Sequence, residues 1–107
     1  MRTVISSSAR DVARWLDQET AMIIDVREPE EAARACVPGA LNMPLSAFAL
    51  EDVPPAPDKR VVFICEEGVR SASAGQLVLD EGWLPEAYFV TGGMADWTRA
   101  GLPVGCL

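Results

Sequence analysis

The sequence contains no histidine. Without imidazole, the chain cannot form a Ser-His-Asp triad or a Cys-His protease site, and it lacks the side chain that most often moves protons near neutral pH. Its three cysteines, Cys36, Cys65 and Cys106, lie far apart and include no Cys-x-x-Cys pair, so a structural zinc site is not expected. We predict neither a metal nor another cofactor. Any chemistry must therefore depend on cysteine, carboxylates, arginine, serine and the backbone.

Positive charge is also scarce, because 9 Lys and Arg residues face 16 Asp and Glu residues, for a formal net charge of −7. Binding through nucleic-acid phosphates needs clustered basic residues, so no nucleic-acid partner is expected. No apolar run approaches the roughly 18 residues of a membrane span, and the polar residues 6–8 interrupt any signal-peptide core. We therefore expect a cytoplasmic protein without membrane partners.

The 107 residues, 50% of them hydrophobic, are enough for a single domain, 1–107, with its own core. Apolar residues at helical spacing alternate with short β-branched runs, which predicts an α/β domain. Its sheet should be mostly parallel, with helices on both faces and a ligand site beyond the carboxyl ends of the strands. The predicted helices are 9–18, 29–34, 72–81 and 94–100; the predicted strands are 22–24, 40–41, 60–64 and 87–90, with a surface connection at 52–58.

Cys65 directly follows the strongest strand signal, at 60–64, and precedes a helix for which Ser71 is the expected N-cap. The free N–H groups and dipole of a helix N-terminus favour a thiolate over a thiol. Gly68 permits a positive φ, so that the N–H groups of residues 66–71 can point inward around an anion. Arg70 either closes this ring or braces the loop through a carboxylate elsewhere. The alternative is that Cys65 is only a packed, inert thiol.

Four motifs follow one another over nearly the whole chain. They are residues 24–31 (IDVREPEE), 37–45 (VPGALNMPL), 65–71 (CEEGVRS) and 91–97 (TGGMADW), the last followed by 101–104 (GLPV). In this order they resemble the motifs of the rhodanese-like sulfurtransferase family. The resemblance implies a rhodanese-like domain with a five-stranded sheet. It also implies an enzyme that moves a sulfane sulfur from thiosulfate or another donor to cyanide or a thiol through a Cys65 persulfide.

The resemblance assigns Cys65 as the nucleophile within a loop that binds the anion or substrate. Asp25 and Arg27, at the end of a neighbouring strand, are expected to form an ion pair that orients this loop. Arg70 follows Cys65 by five positions, whereas the related dual-specificity phosphatases have six, and the tighter ring suits a single sulfur atom better than a phosphate. The remaining predicted loop residues are Glu66, Glu67, Gly68, Val69, Arg70 and Ser71.

Two departures from the family pattern affect the expected activity. Glu66 and Glu67 stand where members often have a basic residue, so we expect weak activity with dianionic thiosulfate and a better match to a neutral, cationic or protein-bound donor. Cys36 stands where the family commonly has histidine, and it is either a packed thiol or a resolving thiol for Cys65. The acidic loop also keeps open a catalytically weak module that binds a partner protein. The sequence leaves the physiological donor, the acceptor and the oligomeric state open.

Overall fold

The computed structural model describes residues 2–105, in which strands and helices alternate along the chain. Cys106 lies outside the described residues. No helix within them is both long enough and apolar enough to cross a membrane. The elements are β1 (Ile5–Ser7), α1 (Ala9–Asp17), β2 (Ala21–Asp25), α2 (Pro29–Arg34), β3 (Leu41–Asn42), β4 (Arg60–Ile64), α3 (Val69–Asp80), β5 (Tyr88–Val90) and α4 (Gly93–Arg99), with 3₁₀ turns at Leu45–Ala47 and Leu50–Asp52.

The five strands form one sheet in the order β1-β5-β4-β2-β3, and all four neighbouring pairs are parallel. The predicted five-stranded parallel α/β fold is therefore confirmed. Because parallel strands place their carboxyl ends at one edge, the end of β2 lies beside the end of β4. Asp25 pairs with Ile64 in the sheet register, and Cys65 follows directly.

The core has two layers, one on each face of the sheet. Val61 and Phe63 of β4 point into one layer, which α3 covers, and Val62 and Ile64 point into the other, which includes residues of α1 and α4. Burial on both faces explains why β4 is a continuous β-branched and aromatic run rather than an alternating one. Trp97 of α4 is 2% exposed in the second layer. Burial of such a side chain contributes about 1.5–3 kcal/mol to folding.

Helix and strand ends fall close to the sequence expectations at most positions. Ser8 caps α1 by accepting a hydrogen bond from the Asp11 N–H at 3.1 Å, and Pro29 occupies the first turn of α2, where a missing N–H costs nothing. The predicted connection at 52–58 is irregular after the turn ending at Asp52, but Val53 within it is 1% exposed and anchors it to the core.

Two elements differ from the sequence expectations. Helix α3 begins at Val69 rather than at 72, so Ser71 is not its N-cap. Gly68 holds that position with φ 101°, a left-handed conformation that turns the chain from the strand into the helix and places Ser71 in the first turn. Strand β1 was not predicted, because its half-exposed Ile5 and two serines lack an apolar pattern. Backbone pairing with β5 creates it at the sheet edge.

Candidate active site

Cys65 lies at the carboxyl edge of the sheet, between the last residue of β4 and the turn that leads into α3. Its side chain packs at the edge of one core layer and also contacts polar groups of its own loop. The Gly68 and Ser71 N–H groups donate to Sγ at 3.1 and 3.3 Å. The thiol donates to Ser71 Oγ at 3.3 Å, and that hydroxyl donates to the Gly68 carbonyl oxygen at 3.2 Å.

The thiol is buried, since Cys65 is 1% exposed, whereas Glu66, Glu67 and Val69 of the same loop are exposed. Burial alone would fit an inert packed cysteine. An apolar pocket would not, however, aim two backbone N–H groups at the sulfur, and such donors stabilise a sulfur anion. The loop therefore presents two N–H donors of the kind that stabilise a thiolate.

The N-terminus of α4 supports this loop from behind. The N–H of Met94 donates to the Cys65 carbonyl oxygen at 2.8 Å, and the N–H of Ala95 donates to the Glu66 carbonyl oxygen at 3.1 Å. Gly93, with φ 55°, permits this approach: a Cβ there would lie 2.3 Å from the Cys65 oxygen and 2.6 Å from the Glu66 oxygen. This contact was not predicted from the sequence, in which Gly93 stands only within the motif at 91–97. The available signal was a glycine pair between a strand and a helix.

Asp25 and Arg27 form a buried ion pair at the end of β2, with exposures of 1% and 3%. Arg27 Nη2 lies 2.8 Å from Asp25 Oδ2, and Arg27 Nη1 reaches Glu66 Oε1 at 3.4 Å. Burial acts to lower the pKa of Arg27, but the hydrogen bond to Asp25 and the charges of both carboxylates outweigh it and raise the pKa. The guanidinium therefore stays charged and connects β2 to the Cys65 loop.

Asn42 is a supporting residue that sequence reasoning missed. Its side-chain amide donates to the carbonyl oxygens of Asp25 and Arg27, at 3.0 and 2.9 Å. These bonds fix the backbone that carries the ion pair. Its only sequence signal was its place in the motif at 37–45, which gave no indication of these partners.

Arg70 links the loop to α2. Its Nη1 and Nη2 donate to the two carboxylate oxygens of Glu31 at 2.6 and 2.9 Å. The hydrogen bond from Arg70 is the largest cause that lowers the pKa of Glu31 to about 2, and the same bond raises the pKa of Arg70. Arg70 thus has the carboxylate partner that the brace requires, and its contact with an anion in the loop stays a prediction.

Cys36 lies on the segment that follows α2, and 3% of it is exposed. Its N–H and carbonyl oxygen bond to Gly105 at 2.9 and 2.8 Å, so the backbone at Cys36 holds the end of the described chain. It forms no disulfide with Cys65, the other cysteine among residues 2–105. A resolving role for this thiol stays a prediction.

A cavity of about 860 Å³ lies at the opposite edge of the sheet, where the strands begin. Thr20, Arg60 and Tyr88, at or just before the amino ends of β2, β4 and β5, contribute to its walls. No residue of the Cys65 loop lines it. The cavity is therefore separate from the candidate active site.

Comparison with known proteins shows which family the chain is similar to. The model of the Rhodanese-like domain family matches residues 8–100. The chain is 31% identical over 91 residues to a protein of Allochromatium vinosum named "Sulfurtransferase", covering 85% of this chain and 84% of that protein. It is 28% identical to the "Thiosulfate sulfurtransferase GlpE" of Vibrio cholerae, covering 83% of each. A solved structure titled as a thiosulfate sulfurtransferase from Pseudomonas aeruginosa superimposes with a TM-score of 0.84 at 28% identity, over 96% of this chain and 20% of that one.

Proposed function

The chain belongs to the rhodanese-like domain family, and on that premise we propose that it is a sulfurtransferase that carries a sulfane sulfur on Cys65. The observation that carries the proposal is the pair of N–H groups, from Gly68 and Ser71, that donate to Sγ. They supply a stabilised sulfur nucleophile in a chain that has no histidine to act as a base. The relatives named as sulfurtransferases support the same reaction class.

The proposed reaction has two displacements on sulfur. In the first, the Cys65 thiolate attacks the outer sulfur of a donor, the S–S bond of the donor breaks, and the donor leaves with the electron pair, as sulfite in the case of thiosulfate. In the second, cyanide or a thiolate attacks the outer sulfur of the Cys65 persulfide and leaves with it, restoring the thiolate. Neither step consumes an oxidant or a reductant, and neither requires a metal.

The loop residues act on these steps in different ways. The N–H groups of Gly68 and Ser71 stabilise Sγ when it is the attacking thiolate and again when it is the leaving group. Arg70 acts as a positioning residue, because both of its terminal nitrogens are bound to Glu31. Asp25 and Arg27 are also positioning residues, since Arg27, paired with Asp25, contacts the loop at the exposed Glu66 rather than at the sulfur.

The direct test is the mass of the protein after treatment with thiosulfate or with a persulfide donor. Wild type and Cys36→Ser should each gain about 32 Da, the mass of one sulfur, whereas Cys65→Ser should gain nothing. Thiocyanate formed on later addition of cyanide should follow the same pattern. An adduct that persists in Cys65→Ser, or one that disappears in Cys36→Ser, would contradict the assignment of Cys65.

A second candidate is a catalytically weak module that binds a partner protein through the same loop. Its support is the combination of a thiol that is 1% exposed with exposed Glu66, Glu67 and Val69. The mass measurement separates the two. Folded wild type that gains no sulfur from either donor would favour the binding module.

A further inference from the structure

The cationic groups nearest the Cys65 loop are already bound to carboxylates, and this limits which sulfur donor can approach. We propose that the donor is a persulfide, R–S–SH, of neutral or positive charge rather than dianionic thiosulfate. This inference rests on the proposed sulfurtransferase function and narrows its substrate class. Two observations carry it. Arg27 and Arg70 are each already paired with carboxylates, and the loop carries more negative than positive charge.

The terminal nitrogens of Arg70 bind Glu31, at 2.6 and 2.9 Å, so a sulfonate would share this guanidinium with a carboxylate that already neutralises its charge. Arg27 is 3% exposed. Its Nε and Nη2 bind Asp25, Nη2 also donates to the Ala35 carbonyl oxygen, and Nη1 faces Glu66 at 3.4 Å. A dianion that entered the loop would therefore compete with Glu31 for Arg70, and the buried Arg27 would offer it little access.

The remaining charge at the loop is negative. Glu66 is 48% exposed at its side chain and shares Arg27 with the buried Asp25. Glu67 is exposed and forms no ion pair with any residue of the described range 2–105. Around the loop, four carboxylates thus face two guanidinium groups. Together with the chain's net charge of −7, this excess repels a dianion and attracts a cation over distances of about 10 Å at moderate salt.

A persulfide satisfies the chemistry when it reacts in its protonated form, R–S–SH, which brings no negative charge to the loop. The Cys65 thiolate attacks the terminal sulfur of R–S–SH, the S–S bond of the donor breaks, and R–S⁻ leaves with the electron pair. The product is Cys65–S–SH, so the proton stays on the transferred sulfur and no oxidant or reductant is consumed. The terminal sulfur is a single protruding atom, which suits a thiol that is 1% exposed on the loop floor.

The test compares two small donors at low and high ionic strength: thiosulfate and cysteamine persulfide, whose ammonium group is cationic. The reaction is quenched at set times, and the fraction of Cys65 that carries a persulfide is measured by mass spectrometry. The result is expressed as a second-order rate constant. At low salt, cysteamine persulfide should react at least about 10-fold faster. Added salt should raise the thiosulfate rate and lower the cysteamine persulfide rate, since screening weakens both effects.

Glu67→Lys should reverse part of this preference. We expect the thiosulfate rate to rise about 5-fold at low salt and the cationic donor to slow by a similar factor. The matched control is Asp58→Lys, which makes the same charge change at an exposed residue beside the cavity at the other edge of the sheet, and it should leave both rates within about 2-fold of wild type.

A third donor identifies the source of the persulfide. A persulfidated peptide with lysines around its cysteine represents a protein-borne donor, and Val69, which is 75% exposed, offers it an apolar contact. Slower transfer from the peptide alone in Val69→Ser supports a protein-borne persulfide. Equal rates for the peptide and cysteamine persulfide in both proteins support a small-molecule persulfide.

The failures of the two proposals are distinguishable. If thiosulfate reacts as fast as cysteamine persulfide at low salt, or if Glu67→Lys and Asp58→Lys behave alike, the donor inference is overturned while the sulfurtransferase function stands. If no donor modifies Cys65 in folded protein, the proposed function fails and this inference fails with it.

Discussion

At the scale of single residues, the hydrogen bonds donated to the Cys65 sulfur come from main-chain N–H groups rather than from a basic side chain. The donors come from Gly68 and Ser71, and the left-handed φ of Gly68 is what aims the first of them. Main-chain donors do not titrate, so the stabilisation they give a sulfur anion does not change with pH. The carboxyl group near the loop whose pKa is lowered by a structural contact is instead that of Glu31, which binds Arg70.

Replacing Glu31 by Gln should remove a contribution to stability that depends on pH. Arg70 holds the pKa of this carboxyl at about 2, below its ordinary 4.5, so ionised Glu31 stabilises the folded state above about pH 5 and the contribution disappears as pH falls toward 2. Because both side chains are partly exposed, we expect on the order of 1 kcal/mol. Urea unfolding of wild type and E31Q should therefore differ at pH 7 and converge near pH 2.

The control for this comparison is Glu30→Gln, an exposed carboxylate on the same turn of α2. It should lower the free energy of unfolding by less than about 0.5 kcal/mol at either pH. Equal effects of E31Q and E30Q, or a difference that is the same at pH 7 and pH 2, would contradict the role assigned to the Arg70 ion pair.

At the scale of elements, those with a strong local signal were predictable and those made by tertiary contact were not. The β-branched run at 60–64 predicted both ends of β4, and the predicted start of helix α1 at residue 9 follows its N-cap, Ser8. The start of α3 was missed because serine is a common N-cap, whereas the turn at Gly68 makes Ser71 a first-turn residue that serves the thiol. Whether Arg70 closes the ring or braces the loop depends on α2, about 40 residues away, which local sequence cannot show.

Gly93→Ala tests the contact between α4 and the Cys65 loop. Its Cβ would meet the Cys65 and Glu66 carbonyl oxygens at 2.3 and 2.6 Å, and neither is a flexible side chain that could move aside. We expect a loss of about 3 kcal/mol in the free energy of unfolding, from steric displacement added to the positive φ. Persulfide formation in the folded fraction should slow at least about 10-fold, because a shift of the loop by about 1 Å misplaces the sulfur.

Gly101→Ala provides the matched control, since its φ of 72° is also positive but a Cβ there would meet nothing within 4 Å. It should cost only the backbone strain, about 1–2 kcal/mol, and leave persulfide formation unchanged. If the two variants lose the same stability and the same rate, α4 does not position the loop.

At the scale of the whole molecule, the sheet joins distant parts of the chain. Strand β1, the first in sequence, is an edge strand paired with β5, the last, and Thr91 N–H donates to the Ser7 carbonyl oxygen at 2.9 Å. This pairing fixes the end of β5, from which the glycine pair enters α4 and reaches the Cys65 loop. The short polar strand that sequence reasoning missed therefore supports the active site indirectly.

Ile5→Pro should measure this support. It removes the N–H that donates to the Ala87 carbonyl oxygen at 2.9 Å and leaves that buried oxygen without its partner. We expect the free energy of unfolding to fall by about 2 kcal/mol more than in Ser6→Pro. In the control the N–H faces away from β5, because residues along a strand point alternately, and only an exposed hydroxyl contact with Thr91 is lost. Indistinguishable urea midpoints would show that β1 adds little to the sheet.

The pairing of Cys36 with Gly105 has a practical consequence for handling the protein. It places Gly105 against the segment whose Ala35 carbonyl oxygen binds Arg27, so an affinity tag or fusion partner joined directly after Gly105 would begin beside the support of the Cys65 loop. A tag ahead of β1 would begin at the opposite edge of the sheet, where the strands start. Immobilisation through the amino end should therefore leave the sulfur loop accessible to a large donor.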